Sequence, residues 1–202
     1  IRDAQESRGL GDVYKRQTKF DASGDILKRT TNLPAPSAFT LCAWVRVVSV
    51  RASQYQYFVE LANGTSNAGS YLVLGYRNNG TFEIATGTNT QGFASNPTTG
   101  SWMFVALTSD GTTLRGYWAH AGSMFVTASM TTQSFTSAQL SIGNDSWDEY
   151  CDVEIENVYV YDAALTQAEL EQQMYRALPV RTANLNIWSR LQISTDVTDY
   201  SG

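Results

Sequence analysis

Hydrophobic and polar residues alternate along most of the middle of this chain, a pattern typical of β-strands with one buried face. The segment FTLCAWVRVV shows it best, with apolar residues at every second position from Phe39 to Val45. Bulky residues also occupy its other face. The pattern predicts a strand that is buried on one side and half covered on the other, as in a sandwich of two sheets.

Further strand patterns follow at Tyr57–Gly64, Tyr71–Gly87 and Ser101–Trp118. Asn79-Gly80 and Asp110-Gly111 interrupt the last two of these. Such pairs favour tight hairpin turns, because both turn residues need a positive φ. Turn signals recur along the chain and proline is rare. We therefore predict an all-β fold, an antiparallel two-sheet jelly-roll sandwich.

One short helix is predicted at Gln167–Arg176. Thr166 and Glu169 have the spacing of a capping box, in which each side chain accepts a free backbone N–H of the first turn. Apolar residues then recur every fourth position from Leu170 to Leu178, which forms one stripe for docking on a sheet. A proline follows and ends the helix.

The composition is that of a folded domain with little charge and no basic region. The chain has 202 residues, of which 43% are hydrophobic and 16% charged, and its formal net charge is −5. This length allows one sandwich domain with a substantial core. We expect no nucleic acid partner, because no basic cluster is present. We expect no membrane partner, because no run approaches the roughly 20 apolar residues of a span.

The two cysteines, Cys42 and Cys151, fit neither a zinc-ligand spacing nor a Cys-x-x-Cys motif. They form either one disulfide or two buried thiols, and the sequence leaves both interpretations open.

Residues 1–17 have no apolar period of either kind. Their sequence, IRDAQESRGLGDVYKRQ, resembles translated adaptor sequence at the end of a reading frame assembled from environmental, metagenomic DNA. We expect this adaptor-like arm to lie outside the fold. A genuine flexible arm is the alternative.

Four segments, in the same order, resemble laminin-G-like domains of the concanavalin-A-like lectin and glucanase superfamily. They are KFDASGD (19–25), FTLCAWV (39–45), SWMFVALTSDGTTLRGYW (101–118) and LSIGNDSWDEYCDVEIENVYVYDAALTQAEL (140–170). The resemblance covers residues 18–178. It implies the same sandwich with a short helix after the last strand, and a recognition function, chiefly for glycans, in place of catalysis.

The C-terminal segment resembles the opening of a second such domain. Trp188, Leu191 and the final Asp199–Gly202 match the front of the first strand of the family. The resemblance implies that residues 179–202 are a linker and the first strand of a truncated second domain. The chain would then be a fragment of a longer protein that has tandem domains or forms an oligomer. The opening strand of the first domain would be missing, and residues 179–202 could take its position.

The resemblance also implies a calcium site. Binding-only relatives often hold one Ca²⁺ with oxygens from the first strand and from an Ile-Asp-Glu-Val strand. The matching acids here are Asp25 and Glu156, with Asp21 nearby. Calcium takes six to eight oxygens, many from backbone or water, so two or three acids suffice. Solvated or salt-bridged acids are the alternative.

Two polar and aromatic clusters are candidates for sugar binding. Sugars stack an apolar ring face on an aromatic side chain, while Asn, Asp and Arg bind their hydroxyl groups. The candidate residues are Trp147, Asp148, Tyr150 and Asn144 before the last strand, and Tyr76 and Arg77 at a hairpin tip. The alternative for Trp147 is that it only covers the edge of the core.

Asp152, Glu154 and Glu156 alternate along one strand and so share a face, with neighbours about 6.5–7 Å apart. Retaining glycosidases need two carboxyls about 5–5.5 Å apart. Laminarinase-type enzymes of this fold use Glu-x-Asp-x-Glu, and the order here lacks the central Asp. We therefore expect no enzymatic activity. If the chain is instead a glycoside hydrolase or lyase, Glu154 and Glu156 carry the reaction.

These observations predict a non-enzymatic, lectin-like recognition or adhesion module that binds a glycan or glycoprotein. We expect it in an extracellular protein at a cell surface or virion surface, such as a viral fibre. A protein–protein interaction domain that uses the sheet edge or rim loops is the alternative outside enzymes.

Overall fold

Two antiparallel β-sheets face each other, as predicted, and one short helix covers part of the first sheet. The computed structural model describes residues 18–29, 33, 38–63, 70–127, 129–133, 135, 138–145, 147–191 and 200–201. Residues 1–17, for which a position outside the fold is predicted, lie outside the described part of the chain.

The first sheet has the strand order β1-β13-β3-β8-β9-β10, with β11 also paired to β9 and β14 to β13. Its strands are β1 (Thr18–Phe20), β3 (Phe39–Ser49), β8 (Trp102–Ser109), β9 (Thr113–His120), β10 (Ser123–Val126), β11 (Met130–Thr131), β13 (Asp152–Tyr161) and β14 (Leu185–Ser189).

The second sheet has the order β2-β12-β4-β5-β6-β7. Its strands are β2 (Leu27–Lys28), β4 (Gln56–Asn63), β5 (Tyr71–Tyr76), β6 (Phe82–Thr86), β7 (Thr90–Gly92) and β12 (Ala138–Ile142). Every strand pair in both sheets is antiparallel.

Side chains from the inner faces of both sheets meet in one apolar core. Phe39, Leu41 and Val45 of β3 are at most 1% exposed, and so are Leu72 and Leu74 of β5. Burying a side chain of this size stabilises the fold by about 1.5–3 kcal/mol. The alternation predicted for β3 therefore places the expected residues inside.

The outer face of the first sheet carries a second apolar cluster, which the helix covers. The helix α1 (Gln167–Met174) has the predicted capping box: the Glu169 N–H donates to Thr166 Oγ1 at 3.2 Å, and the Thr166 N–H donates to Glu169 Oε2 at 2.8 Å. Leu170 and Met174 are buried against Tyr159 and Tyr161 of β13.

The helix is shorter than predicted, and Leu178 is not part of its apolar stripe, because this side chain is 60% exposed. Gln173 explains the early end. Its side chain accepts from the Val180 N–H at 2.7 Å and donates to the carbonyls of Arg176 and Leu178, each at 3.2 Å. These bonds turn the chain away from the helix axis.

Both cysteines are free and buried, so the interpretation as two buried thiols holds. Cys42 lies in the cluster under the helix, and Cys151 lies in the core between the sheets.

The C-terminal strand β14 pairs with the Val158–Tyr161 end of β13. The Thr18 N–H donates to the carbonyl of Leu191 at 3.1 Å, so β1 and β14 lie end to end along the same edge of β13. Ile187 and Leu191 are 5% and 1% exposed and belong to the core. The predicted division at residue 179 and the truncated second domain stay predictions, and Asp199 and Gly202 lie outside the described residues.

Among the described residues, no helix has the length and apolar character that a membrane crossing requires.

Candidate ligand-binding site

A pocket with a cavity volume of about 290 Å³ opens on the outer face of the second sheet. It is lined by Tyr55, Tyr57, Tyr71, Arg77, Glu83, Ala85, Thr90, Trp147 and Glu149. Two of these lining residues, Tyr57 and Ala85, form a small apolar cluster with Val73 that is separate from the core.

Strand register brings the polar part of the floor together. Tyr57 on β4 lies opposite Gly75 on β5, and Gly75 lies opposite Glu83 on β6. The glycine has no side chain, so the Tyr57 hydroxyl reaches across it and donates to Glu83 Oε1 at 3.0 Å. A Cβ at position 75 would lie 2.1 Å from the carbonyl oxygen of Gln56, so no other residue fits this backbone.

Aromatic rings form the walls. Trp147 meets Tyr71 edge to face, with ring centroids 4.7 Å apart and an interplanar angle of 74°. Tyr55 and Tyr57 stack, with centroids 6.0 Å apart. Trp147, Tyr71 and Tyr55 are only half-buried, so their rings remain accessible from the pocket. Open ring faces of this kind suit a ligand with an apolar face of its own.

Trp147 and Glu149 come from the crossing loop, the name used here for residues 143–150, which lead from β12 in the second sheet toward β13 in the first. The Asp145 carboxylate shapes this loop, because its Oδ1 accepts from the backbone N–H groups of Trp147 at 2.9 Å and Glu149 at 3.0 Å. The Tyr57 N–H donates to the carbonyl of Glu149 at 2.7 Å and fixes the loop to β4.

Asp148 ties the crossing loop to the turn between β1 and β2. Its carboxylate accepts from the Ser23 hydroxyl, from the Gly24 N–H at 3.1 Å and from Asn144 Nδ2 at 2.7 Å. These hydrogen bonds, that from Ser23 first, hold the pKa of Asp148 below its usual range. Asp148 and the buried Asn144 therefore position the loop.

The acids around the pocket are strongly perturbed. Burial, then the negative charge of Asp145, raises the pKa of Glu149 to about 7. Burial also raises the pKa of Asp145. The negative charges of the two carboxyls oppose each other, so one proton can be shared between the pair. Burial raises the pKa of Glu83, against the opposing effects of Tyr57 and Arg77.

The structure brings together only part of the predicted ligand-binding set. Trp147 and Arg77 line the pocket. Tyr150 lies under the Arg51 guanidinium, 3.8 Å from it, and outside the pocket lining. Tyr76 is removed from the set, because it is 2% exposed and packs in the core. It follows Gly75 on an alternating strand and so points to the opposite face from the pocket.

The residues that sequence reasoning missed are Tyr55, Tyr57, Tyr71 and Glu83, together with the role of Glu149. Tyr55 and Tyr57 are two positions apart, which is a signal for a shared face. Their meeting with Tyr71 and Trp147 depends on strand pairing and on the path of the crossing loop.

The three acids predicted to bind calcium do not assemble. Asp21 is paired with the Lys19 ammonium at 2.5 Å, and Asp25 accepts from the backbone N–H groups of Asp21 and Ala22. Glu156 lies on β13 opposite Trp44, and burial raises its pKa, which disfavours the charged form that a cation needs. Within the described residues, no group of three or more His, Cys, Asp or Glu is placed to hold a metal ion.

The three alternating acids on β13 lie away from the pocket, on the first sheet. Arg46 binds Glu154 with two hydrogen bonds of 2.7 and 2.6 Å, and the Ser49 hydroxyl donates to Asp152 at 3.0 Å. Both oxygens of the Glu154 carboxylate are therefore occupied by the Arg46 guanidinium.

The two antiparallel sheets and the short helix define an all-β sandwich of the jelly-roll type. The family model of the concanavalin A-like lectin/glucanases superfamily, Laminin_G_3, matches residues 21–171. The chain belongs to this family. No curated protein sequence matches the chain significantly.

Three solved structures share the fold. The enzymatically active domain of tailspike protein 2 from bacteriophage CBA120 has a TM-score of 0.67 and 16% identity over 93% of this chain, which spans 31% of that chain. The CBM40 of Ruminococcus gnavus IT-sialidase, bound to α2,3-sialyllactose, has a TM-score of 0.53 and 17% identity over 79% of this chain and 93% of its own. Domain 4 of an extracellular arabinanase from Geobacillus stearothermophilus was solved in complex with arabinotriose. It has a TM-score of 0.52 and 16% identity over 79% of this chain and 86% of its own.

Proposed function

We propose that this chain is a non-enzymatic carbohydrate-binding module and that the pocket on the second sheet is its glycan site. The observation that carries the proposal is the pocket itself, in which half-buried aromatic rings stand beside a guanidinium and two carboxyl groups. A sugar ring presents an apolar face and a rim of hydroxyl groups, and this pocket offers a partner for each.

The pocket is small and open, which suits recognition of one or two sugar units of a longer glycan. Two relatives of the same fold were solved with oligosaccharides bound. We propose that it belongs to an extracellular protein at a cell surface or virion surface, since an extracellular arabinanase and a bacteriophage tailspike share its fold.

The test is a glycan array with neutral, acidic and amino sugars, followed by titration of the best ligand. Trp147→Ala should weaken binding at least tenfold, since stacking on an open aromatic face contributes roughly 1–3 kcal/mol. Tyr175→Ala is the matched control, because Tyr175 is a 74% exposed aromatic on the helix side of the molecule.

Equal binding by wild type and Trp147→Ala would place the ligand elsewhere. An array on which no sugar binds would favour the protein–protein alternative.

The glycosidase alternative has one supporting observation, the perturbed Glu149–Asp145 pair at the pocket. We expect no turnover, because both acids lie on the same loop and share a proton, whereas glycosidases place their two carboxyls on opposite sides of the scissile bond. Incubation with laminarin, alginate and carrageenan should release no new reducing ends. Release that Glu149→Gln abolishes would overturn the proposal.

A further inference from the structure

The pocket has more negative than positive groups. Two carboxyls, Glu83 and Glu149, line it together with one guanidinium, Arg77. Tyr55 and Glu83 already favour the charged form of Arg77 and raise its pKa. Arg77 therefore already has an acidic neighbour in the pocket, Glu83, whereas the charged groups that act on Glu149 are acids.

Glu149 lies close to other acids. The charged groups that act most on Glu149 and Asp145 are all acids: each other, Glu60 on β4 and Asp148. Asp145 is 3% exposed, and no donor among the described residues reaches its Oδ2. Carboxylates that are removed from water in this way need a positive partner or a proton.

The rings around these acids suit a cation. An ammonium group is attracted to the faces of Trp and Tyr, and the attraction grows as the site excludes water. Trp147, Tyr71, Tyr57 and Tyr55 surround the pocket, with Trp147 and Tyr71 in direct contact. The carboxylate of an acidic sugar, by contrast, could pair with Arg77 only where it also lies beside the like-charged carboxyls of Glu83 and Glu149.

We propose that the pocket selects sugars that carry a free, protonated amine, and that Glu149 is the carboxylate that receives it. This inference rests on the proposed function and names the ligand class of the same site. The ammonium would lie against the aromatic rings and donate to Glu149, which then releases the proton it shares with Asp145.

The proposal includes a pH dependence whose sign follows from the site. An ammonium binds the ionised carboxylate, so affinity should rise as the pH increases through about 7, where Glu149 ionises. The titratable and charged groups that face Glu149 or share its pocket are Asp145 on its own loop, Glu60, Tyr55 and Tyr57 at β4, Tyr71 and Arg77 at the two ends of β5, and Glu83 on β6.

The experiment compares two trimers with the same β-1,4-linked backbone, one of glucosamine and one of N-acetylglucosamine, by calorimetry at pH 7. A trimer of galacturonic acid serves as the anionic probe. We expect the glucosamine trimer to bind about tenfold more tightly than the acetylated trimer, the order expected for one hydrogen bond to a charged group. In Glu149→Gln this ratio should fall toward one.

A permanently charged trimer of N,N,N-trimethylglucosamine removes the titration of the ligand amine. Its affinity for the wild type should increase between pH 6 and pH 8, with a smaller change in Glu149→Gln. This measurement on the wild type does not depend on how well the variant folds.

Three outcomes would overturn the inference: equal or tighter binding of the acetylated trimer, tightest binding of the galacturonic acid trimer, or an amine preference that survives in Glu149→Gln. Each leaves the proposed function standing if Trp147→Ala still weakens sugar binding at least tenfold. If no trimer and no array glycan binds, both proposals fail.

Discussion

Glu149 and Trp147 are two residues apart in the crossing loop and contribute differently to the pocket. Trp147 contributes a half-buried aromatic ring. Glu149 contributes a carboxyl that is held partly out of water beside Asp145, and this position costs folding energy once both acids are charged. The proposed binding pocket therefore includes a residue that, when charged, lowers the stability of the fold.

This gives a prediction for stability against pH. The pKa of Glu149 is raised from 4.5 in the unfolded chain to about 7 in the fold, so the protonated form favours folding. The contribution of protonated Glu149 to the free energy of unfolding is fully present below about pH 4.5 and is lost as the pH rises through 7. Because Glu149 is partly exposed, the loss is discounted to on the order of 1 kcal/mol.

Denaturant unfolding at pH 5 and pH 8 tests this predicted effect of Glu149 on stability. Glu149→Gln should be more stable than the wild type at pH 8 and close to it at pH 5. Glu171→Gln, an exposed acid of the helix, is the control and should change neither value. A variant that is less stable at pH 8 would show that the charged form of Glu149 is favourable.

At the scale of elements, α1 depends on its first turn. The helix is only eight residues long, which is too short to be stable without caps and docking. Thr166→Ala removes the side chain that accepts the Glu169 N–H and should cost about 1 kcal/mol of the free energy of unfolding. Thr166→Ser keeps the hydroxyl and should stay within a few tenths of the wild type. Equal losses in both variants would mean that the hydroxyl bond contributes nothing.

The cap and the strand alternation could be predicted from the sequence because their signals are local. Thr166 and Glu169 are one turn apart, and Phe39 and Leu41 are neighbours on one face. The pocket is different. Tyr57 and Glu83 are 26 positions apart and meet only because Gly75 lies between them in the sheet.

The same limit explains why the acids that were predicted to bind calcium do not come together. Asp25 and Glu156 match acids of the family one by one, but a metal site needs their oxygens to converge. Here Asp25 accepts backbone N–H groups in its own turn, while Glu156 lies on the first sheet. Residue identity could be taken from a resemblance, whereas convergence depends on the backbone around each acid.

For the molecule as a whole, the edge of β13 is completed by both ends of the described chain. β1 covers one half of that edge and β14 the other. Tyr159 and Trp188 also stack across the pair, with centroids 6.4 Å apart. The segment after the helix therefore takes part in the first sheet.

A truncation that removes residues 182–202 should destabilise the fold strongly. It deletes Ile187 and Leu191 from the core, and truncating one such side chain to alanine alone costs about 2–5 kcal/mol. Thermal unfolding of the truncated chain should show a lower midpoint, and Ile187→Ala should show an intermediate one. An unchanged midpoint would support the interpretation of 179–202 as a linker and the start of another domain.

The burial of both thiols has a practical consequence. Cys42 and Cys151 are each 0% exposed, and burial raises both thiol pKa values, that of Cys151 to about 12. At neutral pH neither side chain offers a thiolate to a reagent. A cysteine introduced at the exposed end of the helix, as in Tyr175→Cys, would then be the single reactive thiol. Labelling at this position would attach the protein to a surface or a dye and leave the aromatic pocket free.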